Sequence, residues 1–407
     1  MEELRMKKYA NLIAEIGANV KKGEEVWIRA ELDQPDFIVL LVEECYRLGA
    51  KRVRVNWNHL PLSKLANKYM SVSELGKITS YDLAKLKYQT KKLPTMIYII
   101  SEDPDGLKGI NQKKASKAKK KTYPKVKPFM DLMEDKYKWV IAAVPGVKWA
   151  KKVFPNLEAH EAVEKLWEVI LETSRANGNA VQNWHEHNEF LTKQCQKLND
   201  LRLDHLHYTA SNGTDFKVWL IEDAIWIGGG THLEDRRFFN PNIPSEESFT
   251  TPMKGKAEGL LVATKPLSYQ GNLIEDFSIR FKDGRVSEVK AKKGQLVLEE
   301  MVNMDEGASM IGEVALVPYD SPISNSNILF YNTLFDENAA CHVALGRGFG
   351  TSIKDSFKYT LEELKQKGVN DSMIHVDFMI GSKDLNIVGY TRDGKKVQIF
   401  KDGNWAI

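Results

Sequence analysis

The sequence predicts an α/β fold in two parts: an N-terminal α/β domain with a parallel sheet and a C-terminal, β-rich α+β domain. Helix-like and strand-like segments alternate between residues 8 and 57, as in a parallel sheet. After residue 202, short alternating segments bounded by turns dominate. The chain has 407 residues, more than the roughly 100 to 200 of one ordinary domain. We therefore expect domains at 1–195 and 196–407.

Hydrophobic periodicity predicts the elements of the N-terminal domain. Helical spacing is found in KYANLIAEIGANV (8–20), DFIVLLVEECYRLGA (36–50) and residues 157–198. Strands are predicted for EEVWIRA (24–30) and KRVRVNW (51–57), and the apolar runs TMIYIIS (95–101) and KWVIAAVPG (138–146) are typical of buried parallel strands.

The C-terminal domain is predicted from turn signals such as SNGT, KDG and RDG that separate short alternating segments. The segments are LDHLHYTA (203–210), DFKVWLI (215–221), DAIWIGGG (223–230), LLVATKPL (260–267), DFSIRFKDGRVSEVKA (276–291) and KKVQIF (395–400). A few helices interrupt them, notably TLEELKQKG (360–368).

Composition excludes several function classes. Basic and acidic side chains number 58 and 55, a net charge of +3, so the charge balance implies no polyanionic partner. The start, MEELRMKKYANLIAEIG, lacks the apolar core of a secretory signal, and no run approaches the ~18 apolar residues of a membrane span. Eight lysines between Lys113 and Lys127 are more typical of a solvated helix face than of a nucleic-acid site, because aromatic residues do not interleave with them as base stacking would require. We expect neither a nucleic-acid nor a membrane partner.

The three cysteines, Cys45, Cys195 and Cys341, are an odd number at wide spacing. This pattern argues against a disulfide framework and is typical of a reducing, cytoplasmic location. Cys341 precedes His342, which would allow a nucleophile or a ligand. A lone cysteine is more often a small buried hydrophobe, and we predict that role.

The stretch SMIHVDFMIG (372–381) places an imidazole and a carboxylate inside an apolar run. Side chains alternate across a strand, so His375 and Asp377 share one face while Ile374, Val376 and Phe378 pack on the other. A buried carboxylate needs a cation, a metal or a hydrogen-bond network. The polar face therefore predicts a partner without saying which.

Three other short segments offer acids or imidazole. FDENAACHVALG supplies Glu337 and His342, GEVALVP supplies Glu313, and NIPSEESFTTP supplies Glu246 and Glu247. Such a set suits Zn, Co, Mn or Mg, and a carboxylate-rich set suits two ions about 3.5 to 4 Å apart. Separate salt bridges are the alternative, because spacing alone does not show that distant segments converge.

The remaining paired histidines have weaker signals. His185 and His187 are two residues apart in a helical segment and cannot share one helix face, so we predict surface positions. His205 and His207 share a strand face, for which a solvated side is the simpler interpretation than a ligand role.

The segments NIPSEESFTTP, GEVALVP, DENAACHVALGRGF and HVDFMIG together resemble the aminopeptidase T and aminopeptidase S family of dinuclear metallo-aminopeptidases. The likeness extends upstream through YANLIAEIGANVKKGEEVWIRA, RLGAKRVRVNW, PGVKWAKKVFPN, AVEKLWE and WIGGG in the family's order. It covers nearly the whole chain. It implies a hydrolase, namely a metalloprotease that removes the N-terminal residue from peptides with a free N-terminus. We expect its metal site in the C-terminal domain.

The resemblance also implies roles for individual residues. Metal ligands are implied at Glu247, Glu313, His342, His375 and Asp377, holding two divalent ions (Zn, Co, Mn or Mg). Glu337 matches an acidic position that is a ligand or the general base, and Glu313 is the other candidate base. Glu247 is preferred to Glu246 because the family's glutamate directly precedes the position of Ser248. The resemblance implies a homodimer as well.

One position departs from the family pattern. The family has a tyrosine seven residues after the first histidine, and this chain has Phe349. A phenol donates a hydrogen bond to a developing oxyanion and phenylalanine does not; losing such a donor costs on the order of 10² to 10³ in rate. Tyr319 and Tyr331 are candidate substitutes. The alternative is a catalytically impaired, metal-binding relative that acts as a peptide-binding or scaffolding protein.

Overall fold

The computed structural model describes residues 3–101, 103–270 and 272–407. The chain forms two compact units. The first comprises Met1–His185 and Gly230–Pro244, and the second comprises Glu186–Gly229 and Ser245–Ile407. The first unit thus takes up a segment, 230–244, that lies well inside the C-terminal half of the sequence.

Thirteen α-helices lie in the described part of the chain. They are α1 (Glu3–Leu12), α2 (Pro35–Arg47), α3 (Leu60–Tyr69), α4 (Val72–Leu75), α5 (Ser80–Lys92), α6 (Gln112–Met133), α7 (Val147–Val153), α8 (Ala159–Thr173), α9 (Ala180–Asp200), α10 (Gln295–Val302), α11 (Pro322–Asn325), α12 (Thr333–Asp336) and α13 (Leu361–Gln366). A π-helical turn, Ile13–Gly17, continues α1.

The strands of the first unit are β1 (Glu25–Glu31), β2 (Arg52–Asn58), β3 (Thr95–Ile100), β4 (Trp139–Ala143), β7 (Thr231–His232), β8 (Phe238–Phe239) and β9 (Asn242–Ile243). Those of the second are β5 (Leu203–Thr209), β6 (Asp215–Leu220), β10 (Ser248–Thr250), β11 (Pro252–Val262), β12 (Leu267–Tyr269), β13 (Asn272–Lys282), β14 (Arg285–Lys293), β15 (Ile311–Leu316), β16 (His342–Gly346), β17 (His375–Met379), β18 (Asn386–Thr391), β19 (Lys396–Lys401) and β20 (Asn404–Trp405).

The first unit contains the predicted parallel sheet, in the order β2-β1-β3-β4-β9. The apolar runs at 95–101 and 138–146 form its central strands, buried as a parallel sheet requires. The edge strand β9 is not predictable from periodicity, because it has only two residues and only pairing with β4 makes them a strand.

Three predicted elements need correction. Residues 157–198 form two helices, because Arg175 and Gly178 adopt positive φ values of 53° and 69° and end the first one. The helix predicted at 8–20 is α-helical only to Leu12. DAIWIGGG (223–230) forms only isolated bridges at Ala224 and Ile227. Its alternation reflects packing of single side chains, not a strand ladder.

The second unit is built from two sheets. Nine strands form a large sheet along the path β12-β13-β11-β6-β5-β18-β19-β20, with β14 paired to β13. Four strands form an antiparallel sheet in the order β10-β15-β16-β17. Apolar side chains from both sheets join one buried core. The β-rich C-terminal part of the predicted fold class is confirmed.

The four-stranded sheet depends on a close backbone approach at Gly346, the last residue of β16. Gly346 has φ +102° and pairs with His375 on β17. A Cβ atom here would lie 2.1 Å from the carbonyl oxygen of Ile374. Only glycine allows β16 and β17 to meet in this register.

We predict that Gly346→Ala lowers the free energy of unfolding by more than about 3 kcal/mol, because the steric clash adds to the backbone strain of about 1 to 3 kcal/mol. Gly394→Ala is the matched control: Gly394 has φ +83° but open space around its Cα. That variant should lose only about 1 kcal/mol. Urea unfolding of both variants measures the difference, and equal losses would show that the contact with Ile374 has no effect.

Candidate metal centre

The four-stranded sheet places acids and imidazoles on one face through its register. Glu313 on β15 and Asp377 on β17 both pair with Ala344 on the intervening strand β16. His342 pairs with Ala315 and Met379, two positions along the same strands. Because side chains alternate, all of these project to one side of the sheet. Alanine between the two acids leaves space beside them.

The other face of the same strands is apolar. Val343, Leu345, Val376 and Phe378 belong to the buried core of the second unit. The strand that contains His375 and Asp377 therefore has one polar and one apolar face, as the alternation of its residues predicts. Packing of the apolar face fixes the strand positions, so the polar face is held rigidly.

The segment before β10 brings in Glu247. His187 donates from Nε2 to the Ser245 carbonyl oxygen at 2.7 Å, and the side-chain oxygen of Asn338 accepts the Glu246 N–H at 2.7 Å. Glu247 Oε2 lies 3.1 Å from His342 Nε2, whereas Glu246 Oε2 lies 3.8 Å from His187 Nε2. The two neighbouring glutamates thus have different partners.

The surface position predicted for His187 is wrong, since its side chain is 6% exposed. It lies one turn before Leu191, which is also buried, so it shares the inward face of α9. His185 is exposed as predicted. Periodicity carries no signal for His187, because one histidine on a mixed helix does not reveal which face turns inward.

Two buried carboxylates, those of Glu313 and Asp377, face the imidazole of His375. His375 Nε2 lies 3.1 Å from Glu313 Oε2 and 3.4 Å from Asp377 Oδ1. The exposed fractions of Glu247, Glu313, His342 and Asp377 are 6%, 3%, 1% and 9%. Burial of this many ionisable groups is costly unless a cation or protons compensate the negative charge.

Both imidazoles are oriented in the same way. His342 Nδ1–H donates to the Ala340 carbonyl oxygen at 3.1 Å, and His375 Nδ1–H donates to the Arg347 carbonyl oxygen at 2.7 Å. When the ring is neutral, this bond leaves the Nε2 lone pair directed at the carboxylates. A backbone acceptor on the far nitrogen is the usual arrangement for histidines that ligate a metal.

Proton affinities in the cluster are strongly perturbed. Burial raises the pKa of Glu313 to about 7, although His375 opposes the shift. Burial alone would lower the pKa of His342, but Glu247, Asp377 and Glu313 together outweigh it and raise that pKa to about 10. Without a metal the cluster therefore retains protons at neutral pH.

The donor set fits divalent ions. Two groups of three ligand atoms, each within 4.8 Å of one another, are Glu247–Glu313–His342 and Glu313–His375–Asp377. Glu313 belongs to both groups. Apart from its 3.4 Å ion-pair contact with His375, the buried Asp377 Oδ1 makes no hydrogen bond within the described residues. Carboxylate oxygens with imidazole nitrogens are the ligands of Zn²⁺ and similar metals.

Glu337 lies beside these groups without joining either triad. It begins a 3₁₀ turn, Glu337–Ala339, and the Asn338 amide donates to its Oε1 at 3.4 Å. Burial and the negative charges of Asp377 and Glu247 raise its pKa well above the ordinary value. Asn338 thus joins Glu337 to the segment containing Glu247, a role that sequence periodicity does not indicate.

Phe349 lies against the cluster. Its ring centroid is 4.7 Å from that of His375 and 5.6 Å from that of Phe249. Tyr331 lies on a turn whose backbone is bonded to the Asp336 carboxylate, next to Glu337. Tyr319 is 40% exposed.

The other candidates have structural roles. Cys341 is 1% exposed, and its thiol bonds to the Val317 backbone while burial raises its pKa to about 12. This confirms the buried-hydrophobe prediction. His207 pairs with Asp215, and His205 stacks on Tyr390 at 4.3 Å.

We predict that Zn²⁺ binding releases protons and tightens as pH rises. Ligation needs deprotonated groups, but His342 and part of Glu313 retain protons at neutral pH because their pKa values are raised. In the metal-free chain the folded state also binds more protons than the unfolded state. Folding raises the pKa of Glu313 from 4.5 to about 7 and that of His342 from 6.5 to about 10. The free energy of unfolding therefore falls as pH rises through these two ranges.

Titration calorimetry in two buffers of different ionisation enthalpy measures the released protons. Urea unfolding of the metal-free chain at several pH values measures the stability change. An affinity for Zn²⁺ that does not depend on pH, without proton release, would contradict the proton-retaining cluster.

Comparisons with known proteins cover the whole chain. Residues 2–405 match the model of the M29 peptidase family, described as thermophilic metalloprotease. Aminopeptidase AmpS of Bacillus subtilis is 42% identical over 404 residues, which cover 99% of this chain and 98% of that protein. Aminopeptidase 2 of Geobacillus stearothermophilus is 38% identical over 406 residues, with 99% and 98% covered.

A solved structure agrees. Wild-type AmpT from Thermus thermophilus superposes with a TM-score of 0.88 at 34% sequence identity, covering 100% of both chains. The family model, the full-length relatives and this structure all support the same assignment. The chain belongs to the M29 family of metalloproteases.

Proposed function

We propose that this protein is a metal-dependent aminopeptidase that removes the N-terminal residue from peptides with the help of two divalent ions. The observation that carries the proposal is the position of Glu313 in both groups of ligand atoms. One shared carboxylate flanked by two imidazole-containing triads is the donor arrangement that a two-ion hydrolase needs. The relatives named aminopeptidase support the same reaction.

Five side chains would hold the ions. One position would be formed by Glu247, Glu313 and His342, and the other by Glu313, His375 and Asp377. Bound there, the ions would supply Lewis acidity, lowering the pKa of water and polarising the scissile carbonyl. Zinc, cobalt, manganese and magnesium are the candidates that this donor set accepts.

Glu337 is the general base in this proposal. It lies beside both triads, so its carboxylate is not required as one of their ligands. Burial and the negative charges of Asp377 and Glu247 raise its pKa well above the ordinary value, which makes its carboxylate a stronger base than a free one. Glu337 would take a proton from the attacking water and pass it to the leaving amine nitrogen. Glu313 is the less suitable base, because both triads use it.

The free amine of the substrate would set the position of cleavage. Held either by one of the ions or by a carboxylate that the ions leave free, the amine would place only the first peptide bond at Glu337. Cleavage would therefore stop after one residue.

Other properties are proposed on less direct grounds. Residues 196–407 would form the catalytic domain, since every proposed ligand lies there. The three cysteines are buried and unpaired, which suits a reducing, cytoplasmic location. No helix in the described part of the chain is long and apolar enough to span a membrane. A homodimer is proposed from the family resemblance alone.

A second candidate function rests on Phe349. Its ring contacts His375 but has no hydroxyl to donate to an oxyanion. In this alternative the protein binds metal and peptides but turns them over slowly, and it acts as a peptide-binding or scaffolding protein.

The first test compares a proposed ligand with the proposed base. Asp377→Asn removes a carboxylate from one triad, so it should reduce metal occupancy and abolish hydrolysis together. Glu337→Gln should retain the metals and lose about 10² to 10⁴ in kcat. Metal analysis by mass spectrometry, paired with assays on an aminoacyl anilide, measures both. Full activity with two bound metals in the Asp377→Asn variant would be incompatible with the proposed site.

The second test addresses Phe349 directly. Phe349→Tyr should raise kcat by about 10² to 10³ if the chain lacks an oxyanion donor. It should change kcat little if another donor already serves. Phe249→Tyr is the matched control, because Phe249 packs against the same ring. A wild-type chain inactive with Zn²⁺, Co²⁺ and Mn²⁺ but active after Phe349→Tyr would establish the impaired alternative.

A further inference from the structure

Positive charge is concentrated in one segment of the first unit. Residues 60–133 contain sixteen lysines, no arginine and six acidic residues, a net charge of +10. The whole chain has a net charge of only +3, so the remainder is negative by 7. The near-neutral total therefore hides a strongly basic region, which the balance of the whole sequence does not reveal.

The basic region consists mainly of helices α3 to α6. Helix α6 packs closely against Gly76, the residue that follows α4. A Cβ at Gly76 would lie 3.1 Å from the Ala118 carbonyl oxygen. Ala118 is buried, whereas Lys113, Lys117, Lys120 and Lys125 are exposed. One side of α6 thus faces the protein, and the other presents ammonium groups to solvent.

Apolar side chains are exposed on α3, whose end is bonded to the start of α6. On α3, Leu62, Leu65 and Tyr69 follow helical spacing and are 62%, 49% and 73% exposed. The end of α3 is joined to the start of α6, because Asn67 accepts the Asn111 N–H at 3.0 Å and Lys114 Nζ donates to the Lys68 carbonyl oxygen at 3.4 Å.

A groove lies at this junction. It has a volume of about 420 Å³ and is lined by Lys64, Leu65, Lys68, Ile110 and Lys114, among others. Ammonium groups and apolar side chains therefore share this groove. We use the name α3–α6 face for the groove together with Leu62, Leu65 and Tyr69 of α3 and the lysines of α6.

The composition of the α3–α6 face favours one kind of partner. Arginine is enriched at protein interfaces and binds phosphates and bases with its planar fork, whereas lysine is depleted at protein interfaces. This region has lysine only. Lysines act as point charges on a diffuse anionic surface, while exposed leucines enter the boundary of the acyl chains.

We propose that the α3–α6 face binds peripherally to an anionic lipid bilayer. Ammonium groups of α6 attract the phosphate headgroups, and Leu62, Leu65 and Tyr69 enter the interface. This contact differs from our expectation of no membrane partner, which rested on the lack of a spanning run. A peripheral surface needs no such run.

Vesicle co-sedimentation of the full chain tests the proposal. Binding is expected to vesicles of equal parts phosphatidylglycerol and phosphatidylcholine but not to phosphatidylcholine alone, and it should weaken as salt rises. Lys113→Gln, Lys117→Gln, Lys120→Gln and Lys125→Gln together should weaken binding by on the order of 10³-fold, since each lysine near the surface contributes roughly fivefold. Glutamine has a similar helix propensity, so α6 should remain intact.

A matched control variant removes the same number of positive charges from the second unit. Lys254→Gln, Lys256→Gln, Lys290→Gln and Lys292→Gln alter four exposed lysines of the second unit. It should bind vesicles like the wild type. Equal loss in both variants, or no binding by the wild type, would overturn the proposal. Unchanged hydrolysis and circular dichroism spectra establish that the variants are folded.

The apolar part is tested separately. Leu62→Ser with Leu65→Ser should weaken the binding that persists at high salt, where charge attraction is screened. Two other occupants would also contradict the proposal. One is RNA, if an oligonucleotide binds through the α6 lysines while vesicles do not. The other is a second copy of this chain, if the double Leu→Ser variant dissociates a dimer in sedimentation velocity while vesicle binding is absent.

Discussion

The structure of the second unit depends on one electrostatic constraint: acids and two imidazoles share one buried face of a four-stranded sheet. Glu313 belongs to both imidazole-containing triads. The ion pairs Glu247–His342 and Glu313–His375 have the same 3.1 Å separation. Negative charge exceeds what the imidazoles neutralise, so the face is stable only with retained protons or bound cations.

The rest of the sheet is consistent with this constraint. Small residues, Ala344 and Ala315, stand opposite the acids and His342, and Gly346 stands opposite His375. Backbone carbonyls orient both imidazoles. The apolar face beneath them belongs to the main core of the unit. Stability comes from one face and chemistry from the other, a division that a sheet permits because its side chains alternate.

The two proposed binding sites have opposite charges. Acids concentrate where cations would bind in the second unit, and lysines concentrate on α3 to α6 in the first. The near-zero net charge results from these opposite concentrations, not from an even mixture. Net charge therefore describes solubility and association poorly when basic and acidic groups are segregated.

Strong local periodicity was enough to predict several elements and the two-part α/β fold. The strands at 95–100, 139–143 and 375–379 follow from hydrophobic patterns that act over a few residues. Family resemblance supplies the ligand candidates. Sequence spacing does not show that they converge, because contacts between distant segments leave no periodic trace. Which groups meet is settled by tertiary packing, which brings Glu247 to His342, turns His187 inward and pairs residues 242–243 with β4. The physical information behind these contacts is spread over segments far apart in the chain, so no local stretch contains it.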